Sequence, residues 1–451
     1  MKDLKSFINF LRSHHPQALM EVTKNYKPHL EVCSFLGWLE RQRRYPAVVF
    51  QRVDNLYGEP SGYPLAINLF ASRELCALAL DLPVESSGMA LSLEYERREA
   101  SRIRPVKVAK EEAPVKEVIE KEIDLRKFPL LTHHLADAAP YVTMSLTGKE
   151  LKTGVYNSSF HRGMVQNGKS IAIFFEARHL WTHYLDYEAQ GRPMPVAYVI
   201  GHHPAYYLGT CSLVPIDVDE YEVIGGVLGE PLKLVASESW GEDFLVPADA
   251  EIVIEGVILP KVRVPEGPFG DFTGHYGDKK ESPLMEVTAI THRRDACFMD
   301  IFAGHREHRL LGAVPKEAGI YSRVKAIVPG VKAVTLPLSG AGRFHCYISI
   351  EKKVEGEAKL AAMAALSSSE LIKHVIVVDD DIDVYDDEEV LWAVATRAQA
   401  DQDVEVMKRV KGSRLDSSAP GLDYGAKMII DATRDLSLHF PERIQCAPYK
   451  E

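Results

Sequence analysis

The chain has 451 residues, enough to bury a large core and to make two or three domains. Hydrophobic residues make up 46% and charged residues 26%, the balance of a folded chain rather than a disordered one. A formal net charge of −11 argues against nucleic acid as the main partner, because phosphate binding needs a concentrated basic surface; a local basic pocket for a small anion stays open.

The N-terminus, MKDLKSFINFLRSHHPQ, lacks the apolar run of a signal sequence, and no stretch is apolar enough to span a membrane. Phe7, Phe10 and Leu11 have helical spacing, residues 30–43 read as a second amphipathic helix, and AVVF at 47–50 reads as a strand. Residues 1–105 are therefore expected to form an α/β domain. The charged stretch 106–129 is expected to be a linker, or else a surface excursion within one domain. From 130 to 315 the character changes. YVTMSLT, IAIFF, PVAYVI, EIVIEGVI, LMEVTAITHR and CFMDIFAG are short extended runs, many separated by Gly/Pro turns, with one helix expected over 179–190. That is the profile of a mainly β barrel or sandwich. Over 316–451 strand, helix, strand and helix alternate (FHCYISIE, GEAKLAAMAALSS, KHVIVVDDDIDV, EEVLWAVATRAQ), which predicts a βαβ unit with a parallel sheet.

Six cysteines (Cys33, Cys76, Cys211, Cys297, Cys346, Cys446) are scattered without CxxC spacing, as expected of reduced thiols in a cytoplasmic protein. No dinucleotide fingerprint, Walker sequence, HExxH or G-x-S-x-G is present. His179 and His183 are i,i+4 on a predicted helix and can share a metal on one face, or can be a core-plus-surface pair. The run Asp379-Asp380-Asp381-Ile382-Asp383 lacks the Gly and distal Glu of a calcium loop and is expected to cap a strand end facing solvent. The most informative stretch is EGPFGDFTGHYG at 266–277. It puts Glu266 and Asp271 on one Gly/Pro loop, where two carboxylates beside a cation can divide acid and base roles. An isolated pair of this kind is more often an acidic surface hairpin.

NSSFHR, HLWTHYLDYEAQGRPMPVAYVIG, LGEPLKLVASES, VPADAEIVIEGVI, EGPFGDFTGHYG, VVDDDIDVYD and GSRLDSSAPG with AKMIIDAT, in this order and spacing, resemble the UbiD family of decarboxylases that use prenylated FMN. The resemblance implies a split β-barrel cofactor domain flanked by α/β domains. It implies a divalent metal, Mn2+ or Mg2+, with K+ or Na+ nearby. Carried onto this chain, it gives Asn157, His179 and Glu238 as metal ligands. It gives Arg162, Arg178, His179, Thr210, Cys211, Ser212, Glu238 and Lys373 as cofactor contacts, with Lys373 equally readable as an ordinary strand-start lysine. Arg162, Glu266 and Asp271 become the catalytic set, with Asp271 the proton donor, Glu266 its tuner and Arg162 the carboxylate anchor. Many family members have Glu where this chain has Asp271, a departure that bears on substrate shape more than on activity.

The implied reaction is non-oxidative, reversible decarboxylation of an aromatic or heteroaromatic acid. A flavin prenyltransferase is the implied cofactor source, and the implied assembly is a cytoplasmic homo-oligomer, a dimer or a hexamer of dimers. Two other readings stay open: a flavin oxidoreductase on a similar barrel, and a non-catalytic subunit of a decarboxylase complex. After CFMDIFAG the run His305-Arg306-Glu307-His308-Arg309 concentrates cationic groups. It is either a polar loop of self-paired charges or a site where His305, Arg306 or Arg309 binds a second polar group of the substrate. The second option favours furan-2,5-dicarboxylate or pyrrole-2-carboxylate over a cinnamate-like acid.

Overall fold

The computed structural model describes residues 2–444, so Cys446 lies outside the described residues; among the described residues no two cysteines are joined in a disulfide. The chain divides into two compact units between Lys316 and Glu317. The first unit opens with the helix Leu4–His14, started by a reciprocal capping box between Asp3 and Ser6. Leu4, Phe7, Ile8 and Leu11 are its buried stripe, at the spacing of one helix face. Leu19–Tyr26, Ala47–Val53, Leu65–Ile67 and Phe298–Met299 form a four-stranded sheet beside this helix and Glu31–Arg41, Arg73–Ala79 and Met89–Ala100.

A nine-stranded antiparallel sheet carries the rest of the unit, and it curls as the barrel expectation requires. Its path runs Tyr141–Val142, Gly163–Asn167, Ser170–Ile173, Lys280–His292, Ile252–Glu266, Met194–Ile200, Ser145–Lys149, Tyr156–Phe160. The helix His179–Ala189 follows Ser170–Ile173. CFMDIFAG departs from expectation. Its only strand residues, Phe298 and Met299, pair in parallel with Leu65 and Ala66 of the N-terminal sheet rather than with the barrel. The charged stretch 106–129 is tied in twice, by Val106–Lys107 to Lys233–Ser237 and by Val118–Ile119 to Lys280–His292. Lys116 within it is buried, its ammonium 3.4 Å from the equally buried Glu255.

The second unit is a five-stranded sheet in the order Val331–Thr335, His345–Ile350, His374–Asp379, Tyr424–Ala432, Val404–Lys411. Its three central strands are parallel, and the helix Glu357–Leu366 connects the first two of them as a βαβ unit. The acidic run does not face solvent throughout. Asp379 is buried, with Arg397 Nη1 donating to it at 2.6 Å, and Arg397 also grips Asp381 at 2.7–2.9 Å.

One stability consequence follows from two histidines beyond the strand Met194–Ile200. His202 Nδ1 accepts from His203 N at 2.8 Å, and His203 Nδ1 accepts from Ala205 N at 3.2 Å, capping the short helix Pro204–Gly209. Burial depresses both imidazoles to about 3. A depressed histidine contributes stability that is complete above its unfolded value near 6.5 and is lost as pH falls toward 3. Stability is expected to drop by up to about 1.4 kcal/mol per pH unit per histidine between pH 6.5 and 4. H203N keeps a cap acceptor that does not titrate. Urea midpoints across this range should fall less steeply in H203N than in wild type; equal slopes would contradict the account.

Candidate active site

The strand Ile252–Glu266 delivers Glu266 at its last residue, and the chain then turns into a two-residue hairpin, Phe269–Gly270 against Tyr276–Gly277. Gly267 has φ +87°, a conformation that a residue with a side chain rarely adopts. Asp271 sits at the hairpin's turn, its N–H donating to His275 O at 2.9 Å. Arg162 arrives between Tyr156–Phe160 and Gly163–Asn167 and joins the two carboxylates. Its Nε and Nη2 donate to the two oxygens of Glu266 at 3.0 and 3.1 Å, and its Nη1 donates to Asp271 Oδ2 at 3.2 Å. Glu266 is fully buried, whereas the Asp271 side chain is 20% exposed.

The guanidinium lies 4.0 Å from the Phe174 ring centroid and 5.3 Å from that of Phe269. Aromatic faces on a desolvated cation strengthen its hold on both carboxylates. Tyr141 completes the cluster, its hydroxyl donating to Glu266 Oε1 at 3.1 Å. Burial, and then the Glu266 charge, push that phenol well up, so it stays a donor. Nothing in the sequence around Tyr141 distinguishes it from an ordinary core tyrosine.

Asn157 and His179 come together, but around a different carboxylate from the expected one. Glu220, first residue of the helix Glu220–Leu228, accepts from Asn157 Nδ2 at 2.6 Å and from Ser158 N at 2.7 Å. His179 Nδ1 lies 3.8 Å from Glu220 Oε1. Glu238 is engaged elsewhere: its carboxylate is 2.8 Å from Lys110 Nζ and 3.5 Å from Lys116 Nζ. Among the described residues no hydrogen bond or ion pair links Glu238 to Asn157 or His179. Glu220 escapes sequence reading because an Asp-Glu pair at a helix start, here with Asp219 as N-cap, looks like routine capping. His183 does not join His179; it is buried with both ring nitrogens lacking a hydrogen-bond partner.

Asn157, His179 and Glu220 suit a divalent ion. The donors are nitrogen and oxygen only, and rotating the Asn157 amide presents Oδ1 to the carboxylate side. Burial pushes the Glu220 carboxyl up, and His179 is its one ion-pair neighbour among the described residues. No group of three or more His, Cys, Asp or Glu among the described residues is arranged for a metal, and this set has two such residues and an amide.

Of the remaining expected contacts, Thr210 Oγ1 donates to Tyr207 O at 2.8 Å, and Cys211 N donates to Leu208 O at 3.1 Å. Ser212 Oγ is shielded from water without a hydrogen-bond partner, an orphan that a ligand oxygen or nitrogen would satisfy. Arg178 is exposed just ahead of His179. Lys373 belongs to the second unit, where its ammonium is 2.7 Å from both Asp416 and Ser418.

The cationic run is largely engaged. His305 stacks on Phe302 with ring centroids 3.6 Å apart, and its Nδ1 is 2.9 Å from Glu40. Arg306 donates to Ala71 O at 2.7 Å and lies 4.0 Å over the Tyr45 ring, so its guanidinium is spent on the N-terminal fold. Arg309 Nε donates to Phe272 O at 3.0 Å, next to Asp271.

Residues 12–92, 106–306 and 309–432 match the N-terminal, Rift-related and C-terminal domains described for 3-octaprenyl-4-hydroxybenzoate carboxy-lyase, UbiD. The chain is 40% identical over 315 residues to anhydromevalonate phosphate decarboxylase of Methanothermobacter thermautotrophicus, covering 70% of this chain and 74% of that protein. The UbiD-class enzyme HmfF from Pelotomaculum thermopropionicum in complex with FMN superposes with a TM-score of 0.90 at 41% identity, over 98% of this chain and 97% of that one. An evolved dimeric form of HmfF in complex with prFMN gives 0.87 at 40% identity, over 99% and 97%.

Proposed function

The chain belongs to the UbiD family of carboxy-lyases, and from that premise we propose that it decarboxylates a compact conjugated acid with prenylated FMN as cofactor. The observation that carries this reading is the single guanidinium of Arg162 shared between buried Glu266 and partly exposed Asp271. The similarity to HmfF with FMN and with prFMN supports the cofactor. When bound, that cofactor supplies the electron sink for charge left on carbon, which no side chain can supply.

The chain's own residues bind, orient and protonate. Glu266 holds Arg162 through two parallel bonds, Asp271 through one. An incoming substrate carboxylate therefore displaces Asp271 more readily than Glu266. Arg162 then fixes the carboxylate to be lost; Asp271, no longer held by the guanidinium and with its side chain 20% exposed, takes up a proton from solvent and delivers it from Oδ2 to the carbon that CO2 leaves. Glu266, held by Tyr141 as well, keeps the guanidinium plane in place. Asn157, His179 and Glu220 would hold Mn2+ or Mg2+, which when bound would supply positive charge for the cofactor phosphate, while the expected K+ or Na+ carries no residue assignment. The cofactor contacts at Arg178, Thr210, Cys211 and Ser212 stay within the proposal, as do the flavin prenyltransferase source and a cytoplasmic homo-oligomer, whereas Lys373 is engaged by Asp416 and Ser418 within the second unit. Among the described residues no helix is long and apolar enough to cross a membrane.

For substrate, Arg309 is the member of the cationic run tied to the catalytic loop, through Phe272 O, and supports a second anionic group, with furan-2,5-dicarboxylate ahead of pyrrole-2-carboxylate; His305 would take part only by exchanging Glu40 for that group. A second reading draws on the 40% identity to anhydromevalonate phosphate decarboxylase: a phosphorylated, non-aromatic acid whose phosphate takes the place of the second carboxylate. A polar pocket group left unpaired penalises a substrate lacking its partner by about 1–3 kcal/mol. Wild type should prefer furan-2,5-dicarboxylate over furan-2-carboxylate by about tenfold or more in kcat/KM, and R309A and H305A should narrow that preference. Equal preference in every variant would rule out a second-anion site here. Turnover of anhydromevalonate phosphate alone would select the second reading.

A further inference from the structure

The catalytic loop is pinned on both sides of Asp271. On the far side, Arg309 Nε donates to Phe272 O at 3.0 Å. On the near side the anchor is Asp137, a fully buried carboxylate outside the set discussed above. Its Oδ1 accepts from Gly270 N at 2.9 Å, the residue immediately before Asp271. Its Oδ2 accepts from His133 N at 3.1 Å and from His134 N at 2.8 Å. Burial raises this carboxyl, but the His134 imidazole 3.4 Å away and the backbone N–H groups of Gly270 and His134 outweigh burial and hold it below the ordinary range. It therefore acts as a charged acceptor for all three amides, the strong form of the bond.

The platform under Asp137 is itself fixed. His133 Nε2 lies 3.2 Å from Asp300 Oδ2, and Thr143 Oγ1 donates to the other oxygen of Asp300; all three residues are buried. The fit above the loop is equally tight. A side chain on Gly270 would run into the His134 ring, and one on Gly304 would come 2.9 Å from Asp271 O. Gly270 is thus held by its amide on one side and by the imidazole on the other.

We propose that Asp137 is a positioning residue that fixes the backbone at Gly270 and so aims Asp271 Oδ2 at the reacting carbon. This rests on Asp271 being the proton donor. A misplacement of about 1 Å costs on the order of 10²-fold in rate when the group must meet a reacting atom. D137N keeps the volume but presents an amide N–H2 where backbone N–H groups point. It should lower kcat by about 10- to 100-fold, with KM within about threefold and with flavin and metal occupancy unchanged. In the cofactor-free protein, hydrogen exchange of a peptide covering 266–277 should quicken in D137N.

The decisive readout is a double-mutant cycle with D271N, followed by single-turnover CO2 release. If Asp137 acts through Asp271, D137N costs little in the D271N background. Three results would overturn the proposal: kcat within twofold of wild type, the same fold-loss in both backgrounds, or a loss of turnover that only follows lost occupancy. D137S runs the same cycle should D137N give too little folded protein. Wild-type turnover in D271N alone would instead reject the donor assignment, so the two failures are distinguishable.

Discussion

D271N is expected to lower the decarboxylation rate by about 10²- to 10⁴-fold, the usual cost of losing a general acid. The substitution keeps the size of the side chain. Asp271 now accepts on both oxygens, from Arg162 Nη1 at 3.2 Å and from Phe272 N at 2.6 Å. Asparagine has one acceptor oxygen and no transferable proton, so it can keep one of these bonds but not the chemistry. Glu266 and its two-bond fork to Arg162 are untouched, and substrate binding should change little. The expected signature is therefore a fall in kcat with a near-constant KM, accompanied by slowed exchange of labelled CO2 into substrate. Turnover above half of wild type would remove Asp271 from the mechanism. E266Q is predicted to damage the rate as well, because it unbalances the one guanidinium that both carboxylates share.

Glu220→Ala is expected to abolish both metal and flavin retention, whereas Glu238→Ala keeps both. Glu220 is the carboxylate held by Asn157 and Ser158 and faced by His179. Glu238 neutralises Lys110 and Lys116. If Asn157, His179 and Glu220 hold the ion as proposed, removing one ligand of three would weaken its hold and with it the anchoring of the cofactor phosphate. Removing Glu238 leaves Lys116 with its buried partner Glu255, a change felt in stability first. Metal analysis and flavin absorbance on the purified variants decide this. Full occupancy of both in E220A, or loss of both in E238A, would reverse the assignment.

The contrast between these two glutamates shows what was legible in the sequence. Glu266 and Asp271 were readable because one short Gly/Pro loop carries both, and the structure closes that loop on Arg162. Asn157 and Arg162 are legible only through the family resemblance carried by NSSFHR, since their bare spacing names no chemistry. Glu220 was not, because its meeting with Asn157 is made by tertiary packing of a helix start onto the strand Tyr156–Phe160, 63 residues away in the chain. The same limit hid Lys116, whose charge suggested solvent although its partner Glu255 lies 139 residues on. Phe298–Met299 was placed in the wrong sheet because two strand residues show no periodicity and their partners are in the N-terminal sheet. By contrast the βαβ unit of the second unit was plain, since its Ala-rich helix and buried central strand each carry a strong local signature. Asp137 and Tyr141 carry no signal in the sequence, because a buried carboxylate or phenol is recognised by its partners, not by its neighbours in sequence.

The central claim is that this chain is a carboxy-lyase whose chemistry needs the prenylated flavin together with Arg162, Glu266 and Asp271. The most direct measurement is CO2 release by protein produced with and without a flavin prenyltransferase, matched for bound flavin and metal. Furan-2,5-dicarboxylate, pyrrole-2-carboxylate and anhydromevalonate phosphate are the acids offered. The account predicts CO2 from at least one acid with prenylated cofactor, none with plain FMN, and collapse of the signal in D271N. Equal CO2 from both forms, or NAD(P)H oxidation by the FMN-loaded protein with no CO2 from the prenylated one, would contradict it.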